Sequence, residues 1–239
     1  LVALADTGEE KKAAGFIKDA FPKLAKGIQI DLKRLIQTRA PESAFVRIDD
    51  VLDNYGDPIE EALTAIYRSV SEEQKEATDL AVLRNSQMNL INGMIRAHGS
   101  LMLAAMDAII DKDEGKIDPE RLESINESAS FISGRLDELA ALADSGEEKK
   151  AAEKVRDVFP KLARGIQVDL KNLIETSSAE AGQIQKDFIK IDDVLDEYGS
   201  VVEESLLGIQ TSVEEEVKEA VEATEHVLAR SRLVGWATA

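Results

Sequence analysis

Three arginines and two histidines are the residues best suited to chemistry in a chain otherwise poor in reactive groups. Arg84 aligns with Val227 in a second copy of the same sequence, a core-like position. Its guanidinium is therefore expected to face the interior, where it needs a carboxylate from the protein or from a ligand. Arg230 falls near the inward face of its helix, opposite the level expected for Arg96. Arg84, Arg96 and Arg230 together are the candidate ligand-binding residues, suited to a small anionic molecule. Ion pairs with the abundant glutamates, or side chains reaching to water, are the structural alternative.

His98 lies on an apolar seam, flanked by Met94 and Met102, and His226 lies at the edge of another between Ala223 and Val227. In an antiparallel bundle running from Met88 to Trp236, both lie 10 residues from the same end. That placement suits bis-histidine ligation of a non-covalent haem, or copper supplemented by methionine sulfur, with His98 and His226 as the metal ligands. Against it, all four methionines share one helix, where methionine commonly fills core. A di-iron centre is excluded, because Ile95 and Ala223 stand where Glu-x-x-His requires glutamate.

Other chemistry is missing. There is no GxSxG, P-loop or dinucleotide fingerprint, and no cysteine for thiolate catalysis, zinc fingers or disulfides, so an enzyme is not expected. The pairs Asp49/Asp53 and Asp192/Asp196 sit four apart and read as solvated helix faces, since cation binding needs several convergent oxygens. The loop Asp111–Gly115 fails as a calcium loop: with Gly115 in the glycine place, the terminal ligand positions hold Ile110 and Arg121.

These residues are carried by a duplicated sequence. Leu1–Thr38 returns at Leu139–Thr176 with 27 of 38 residues identical, an offset of 138. FVRIDDVLDNYG (Phe45–Gly56) returns as FIKIDDVLDEYG (Phe188–Gly199), an offset of 143. A period this long makes each copy a folding unit rather than a solenoid repeat. The residues from about Ser86 to Glu138 have no counterpart before Leu1, so the first module, 1–85, is expected to be incomplete and the second, 86–239, complete. An incomplete first module is expected to borrow helices from the second copy or from another chain, because an open apolar stripe is unfavourable in water.

The fold class is all-α, with duplicated antiparallel four-helix-bundle modules built from long helices. Aromatic residues make up only 4%, period-2 alternation is absent, and helix formers dominate. Met88, Ile91, Ile95, His98, Met102, Ala105 and Ile109 recur at spacings of 3 and 4 as a packed seam. Asp118-Pro119 starts a helix, and Asp144-Ser145-Gly146-Glu147-Glu148 breaks and restarts one, as Asp6-Thr7-Gly8-Glu9-Glu10 does in the first copy. The second copy is expected to form helices at Ser86–Asp111, Pro119–Ala143, Glu147–Ser177 and Ala181–Leu233, with kinks at Pro22 and Pro160. Between Asp57 and Asp111 the pattern allows either one long helix or a turn at Asn85.

With 29 basic against 47 acidic residues, the net charge of −18 disfavours nucleic acid and anionic lipid as partners. No signal peptide or long apolar run is present, but Leu233–Ala239 follows Arg230 and Arg232 and reads equally as the first turns of a membrane span or as an ordinary helix end.

The stretch His98–Leu122, the LADSGEEKKAAEKVRDVFPKLARGIQVDL segment and the acidic helix ending in RSRLVGWATA resemble the extracytoplasmic sensor region of bacterial methyl-accepting chemotaxis proteins. The resemblance implies a homodimeric periplasmic domain, attached to the inner membrane through flanking spans, in which a bound small molecule shifts a helix along its axis. The usual amino-acid-binding arginine and threonine pattern of such receptors is not matched, and sensor kinases share such domains. The expected function is therefore a sensory ligand-binding region. The alternatives are a helical oligomerisation spacer without ligand, and a haem or metal sensor.

Overall fold

A computed structural model describes residues 2–110, 112–176 and 181–238, and side chains throughout these except at 181–183 and 235–238. The chain is all-α, with no strand among the described residues. Its helices are α1 (Gly8–Lys26), α2 (Lys33–Thr38), α3 (Glu42–Ile110), α4 (Pro119–Ser133), α5 (Leu136–Leu142), α6 (Gly146–Arg164), α7 (Lys171–Thr176) and α8 (Ala181–Thr238). Six-residue π-helical segments, Gly27–Leu32 and Gly165–Leu170, join α1 to α2 and α6 to α7. The expected helix ends at Asp111 and Ser177 lie outside the described residues.

Between Asp57 and Asp111 the pattern left two readings open, and the unbroken one holds: α3 runs through Asn85, where no turn forms. The α1 and α6 assignments continue past Pro22 and Pro160, whose missing N–H groups cost one ladder bond each. A change of hydrogen-bond register follows five residues later, at a glycine. A Cβ on Gly27 would stand 2.8 Å from Leu52 Cδ2, and one on Gly165 would stand 2.9 Å from Leu195 Cδ2. In both copies the leucine of a long helix rests against bare backbone at the start of the π segment, and only glycine leaves that room. The expected helix Pro119–Ala143 is divided at Gly134. There Arg135 stacks on the Phe131 ring at 3.7 Å and donates to the Phe131 carbonyl, taking an acceptor the helix would otherwise use.

Two compact units form, residues 1–81 with 220–239, and residues 82–219. The observed division at 81/82 falls close to the expected 85/86, but residues 220–239, assigned by sequence to the second module, pack with the first. The first unit thus includes a helical segment that the sequence places in the second copy.

In the second unit, α3 from Val82, α4, the α6–α7 segment and α8 to Glu219 contribute to one core. Phe159, Leu162, Ile166, Leu170 and Ile174 supply one stripe, and Leu195, Val202, Leu206, Ile209 and Val213 another. The α3 seam is rotated relative to the expected one: Ile91, His98 and Ala105 are buried as anticipated, but Met94 and Leu101 are at its centre, and Ile95 and Met102 at its flank. A helix packed on more than one neighbour buries a face wider than a two-helix seam, which is why both sets are apolar.

The first unit has a smaller core of Ala14, Ile17, Ala20, Ile59, Ile66, Val70 and Val234. Repeated residues here have different surroundings. Phe21 is 57% exposed where Phe159 is 0%, Ile28 48% where Ile166 is 0%, and Ile36 61% where Ile174 is 3%. In the second unit α4 packs on α6 and its π segment, with Gln167 Nε2 donating to Asn126 Oδ1 at 2.9 Å. Gln29, the counterpart of Gln167, is exposed.

Candidate functional site

The most organised polar groups lie at the start of the short helix in each copy. Thr7 and Ser145 are the N-caps, each accepting from the amide three residues on, Glu10 N and Glu148 N, at 3.1 Å. The glutamate side chains return: Glu10 accepts from Asp6 N at 2.9 Å, and Glu148 from Asp144 N at 3.1 Å. Capping glutamates are ordinarily solvated, yet Glu10 is 2% exposed and Glu148 1%. A buried carboxylate needs a cation or a full set of donors.

In the first unit that cation is Arg230. Its guanidinium bonds Asp6 at 2.7 Å, Glu73 at 2.6 Å and Glu10 Oε2, the oxygen that also accepts from the Asp6 amide. Burial pushes the Glu10 carboxyl up. The Asp6 amide, the Ser69 hydroxyl, the Arg230 charge and the Thr7 amide outweigh it and hold the group below its ordinary value.

In the second unit α3 and α8 exchange roles. Glu216 of α8 stands where Glu73 stands in α3, and the arginine comes from α3. It is Arg84, one turn earlier than Gln87, the residue that aligns with Arg230. Arg84 reaches Asp144 at 2.6 Å and Glu216 at 3.0 Å, and donates to Gln87 Oε1 at 2.9 Å. Gln87 in turn donates to the Leu142 carbonyl. The Arg84 hydrogen bond holds the Asp144 carboxyl below its usual range. Glu216 is shifted the other way, by burial first and then by Glu148, against the pull of Arg84.

Two of the three arginines expected to receive an anion are thus engaged by carboxylates of the protein. Arg84 and Arg230 belong to different units and each serves its own cap, while Arg96 is exposed. The structural alternative of ion pairing describes Arg84 and Arg230, and an anionic ligand has no spare guanidinium at either. What the sequence reading missed was the other half of each cluster. Its signal was present as Thr7-x-x-Glu10 and Ser145-x-x-Glu148, read there only as helix restarts.

His98 is buried in the second unit and His226 is exposed in the first, so the expected pair does not share one core. The His98 ring packs near Gly199 of α8, where an added Cβ would lie 3.9 Å from Nε2 and 3.1 Å from Met102 Sδ. Nε2 has no hydrogen-bond partner. Burial lowers the His98 pKa, opposed by the Glu203 charge and the Gly199 backbone. A base whose folded pKa lies below its unfolded value binds fewer protons when folded, so stability rises with pH across that interval. The second unit is therefore expected to lose stability as pH falls below about 6.5, the ordinary histidine value. Melting temperatures of the wild type and His98→Leu between pH 8 and pH 5 check this. The histidine-dependent slope should vanish in the variant.

Asp49, Asp53, Asp192 and Asp196 are exposed, in keeping with solvated faces. Burial and then the neighbouring Asp196 and Asp193 charges push the Asp192 carboxyl up. In the first unit an open apolar groove of about 580 Å³ is lined by Ala14, Ile17, Phe21, Ile59 and Leu63, with Lys18 at its polar side. Among the described residues no helix is long and apolar enough to cross a membrane. Comparison with protein-family models, with curated proteins and with solved structures returned no match.

Proposed function

We propose that the chain is a non-enzymatic sensory region of the chemotaxis-transducer kind, acting as a homodimer on the extracytoplasmic side of a membrane. A small molecule or ion bound between helices displaces a long helix along its axis, and flanking spans carry that movement across the bilayer. The observation that carries this reading is the buried cap cluster, repeated in each unit. It ties the N-terminus of a short helix to charged groups on both long helices, and its carboxylates outnumber its single guanidinium by three to one. A charged ligand that alters this balance changes how the long helix is held, and packed interfaces respond by discrete shifts rather than by continuous deformation.

Dimerisation draws support from the exposed face of the first unit. Phe21, Ile28 and Ile36 repeat residues that the second unit buries against helices, so a helical partner fits them. A second copy presents the same face and gives a closed two-fold interface.

A thermal-shift screen of organic acids, amino acids and metal ions, repeated with Arg84→Ala, Arg96→Ala and Arg230→Ala, tests the sensing reading. The expected outcome is one ligand class that raises the melting temperature and loses its effect in a cap-arginine variant. The same exposed face also favours a second reading, a helical oligomerisation spacer. A chain that dimerises but answers to no compound in the screen would support the spacer and end the sensing account.

A further inference from the structure

The two cap clusters are repeats of each other with the same three carboxylates to one guanidinium, and those carboxylates are paired unequally. In the first, one guanidinium bonds all three carboxylates, Asp6, Glu10 and Glu73. In the second, the residue aligned with Arg230 is Gln87, and Arg84 from the preceding turn reaches only Asp144 and Glu216. Glu148 is left without a cation although it is 1% exposed; its Oε1 is buried with no hydrogen-bond partner, as is Glu10 Oε1, but Glu10 has Arg230 on its other oxygen. Oxygens of Asp144, Glu148 and Glu216 all lie within 4.8 Å of one another. Three carboxylates against one guanidinium leave two charges uncompensated at a site whose outer side chains, Asp144 and Glu216, are 51% and 23% exposed while Glu148 is enclosed.

We propose that Asp144, Glu148 and Glu216 of the second unit bind a calcium ion, which takes the part that the Arg230 guanidinium plays in the first. Charge and size both favour it. One divalent ion with Arg84 brings the cluster to neutrality. Calcium accepts a flexible shell of roughly six to eight oxygens, whereas the smaller magnesium demands near-ideal octahedral geometry and gives up its waters reluctantly. Three carboxylates with water filling the remaining positions form an ordinary oxygen shell for this ion. Its effect is to clamp the start of α6 to α8, since Asp144 and Glu148 belong to the cap and Glu216 to the long helix. The site shares its cap cluster with the sensing reading but needs no membrane, partner chain or downstream signal, so failure of calcium binding leaves an organic ligand for that reading to be tested by the wider screen.

Melting of the full chain at pH 7.5, with EDTA and then with 1–5 mM calcium, is the test, and equilibrium dialysis counts the ions held. Calcium is expected to raise the melting temperature by about 3 °C or more, as binding to the folded state alone requires. Magnesium at the same concentration should give a smaller rise. Gln87→Arg, which restores the first cluster's arginine, should abolish the calcium effect and keep the helical circular dichroism. Asp144→Asn, at a half-exposed position, should weaken it, and serves if Glu148→Gln fails to fold. No rise with calcium in the wild type would overturn the site and leave a shared proton as the way its charge is relieved. A rise that persists undiminished in Gln87→Arg and Asp144→Asn would also overturn it, by assigning the effect to the acidic surface at large.

Discussion

Truncating Phe159 to alanine is expected to destabilise the second unit by about 3–5 kcal/mol, whereas the same truncation at Phe21 should cost the isolated protomer under about 1 kcal/mol. The two phenylalanines stand in the identical pentapeptide FPKLA, so intrinsic helix propensity cancels from the comparison. What differs is the surroundings. Phe159 is fully buried among residues of a shared core, and its removal leaves a cavity as well as lost transfer energy. Phe21 is 57% exposed, so little is lost in the isolated protomer. Urea denaturation followed by circular dichroism measures both. A large cost at Phe21 under conditions that favour assembly, shrinking on dilution, would reveal the face as an interface.

Replacing Arg230 by methionine is expected to cost the first unit about 3–5 kcal/mol, because Glu10 is then left buried without its cation. Methionine keeps much of the stem volume, so the effect reports charge rather than packing. The double variant Arg230→Met with Glu10→Gln should recover a good part of the loss, because residues in one network do not add independently. Acid should act in the same direction as the single variant. A carboxyl held below its ordinary value contributes stability above its unfolded pKa of about 4.3 and loses that contribution as pH falls through the folded value. The difference between wild type and Arg230→Met should therefore narrow below pH 4. Chemical denaturation at pH 7 and at pH 3.5 gives both comparisons.

Helix positions, the caps before Gly8 and Gly146, the start at Pro119 and the duplication itself were legible because each rests on local chemistry or on plain identity. Arg84 and Arg230 were recognised as inward-facing for a physical reason, the apolar pattern around them. Their partners were not recognised, since pairing Arg230 with Asp6 joins residues 224 apart and depends on α3 and α8 exchanging roles between the units. No periodicity within one copy encodes that exchange. The seam of α3 was placed one step off because Met94 and Met102 are equally apolar, and only the neighbouring helices decide which is central. The divergence of Phe21 from Phe159 lay beyond any local reading: near-identical segments differ through what packs on them. The histidine pair was inferred from equal distances to one end of a bundle. The last turns of α8 pack with the first unit, so His226 is an exposed residue of that unit while His98 is buried in the other.

The homodimer on which the sensing account depends is tested most directly by the mass of the chain in solution. Light scattering on the eluting wild-type protein is predicted to give twice 26.1 kDa, and Phe21→Glu combined with Ile36→Glu is predicted to return it to 26.1 kDa with unchanged helical content. A wild-type chain that runs as a monomer across the concentration range, with the Phe21 face open to water, would contradict the account.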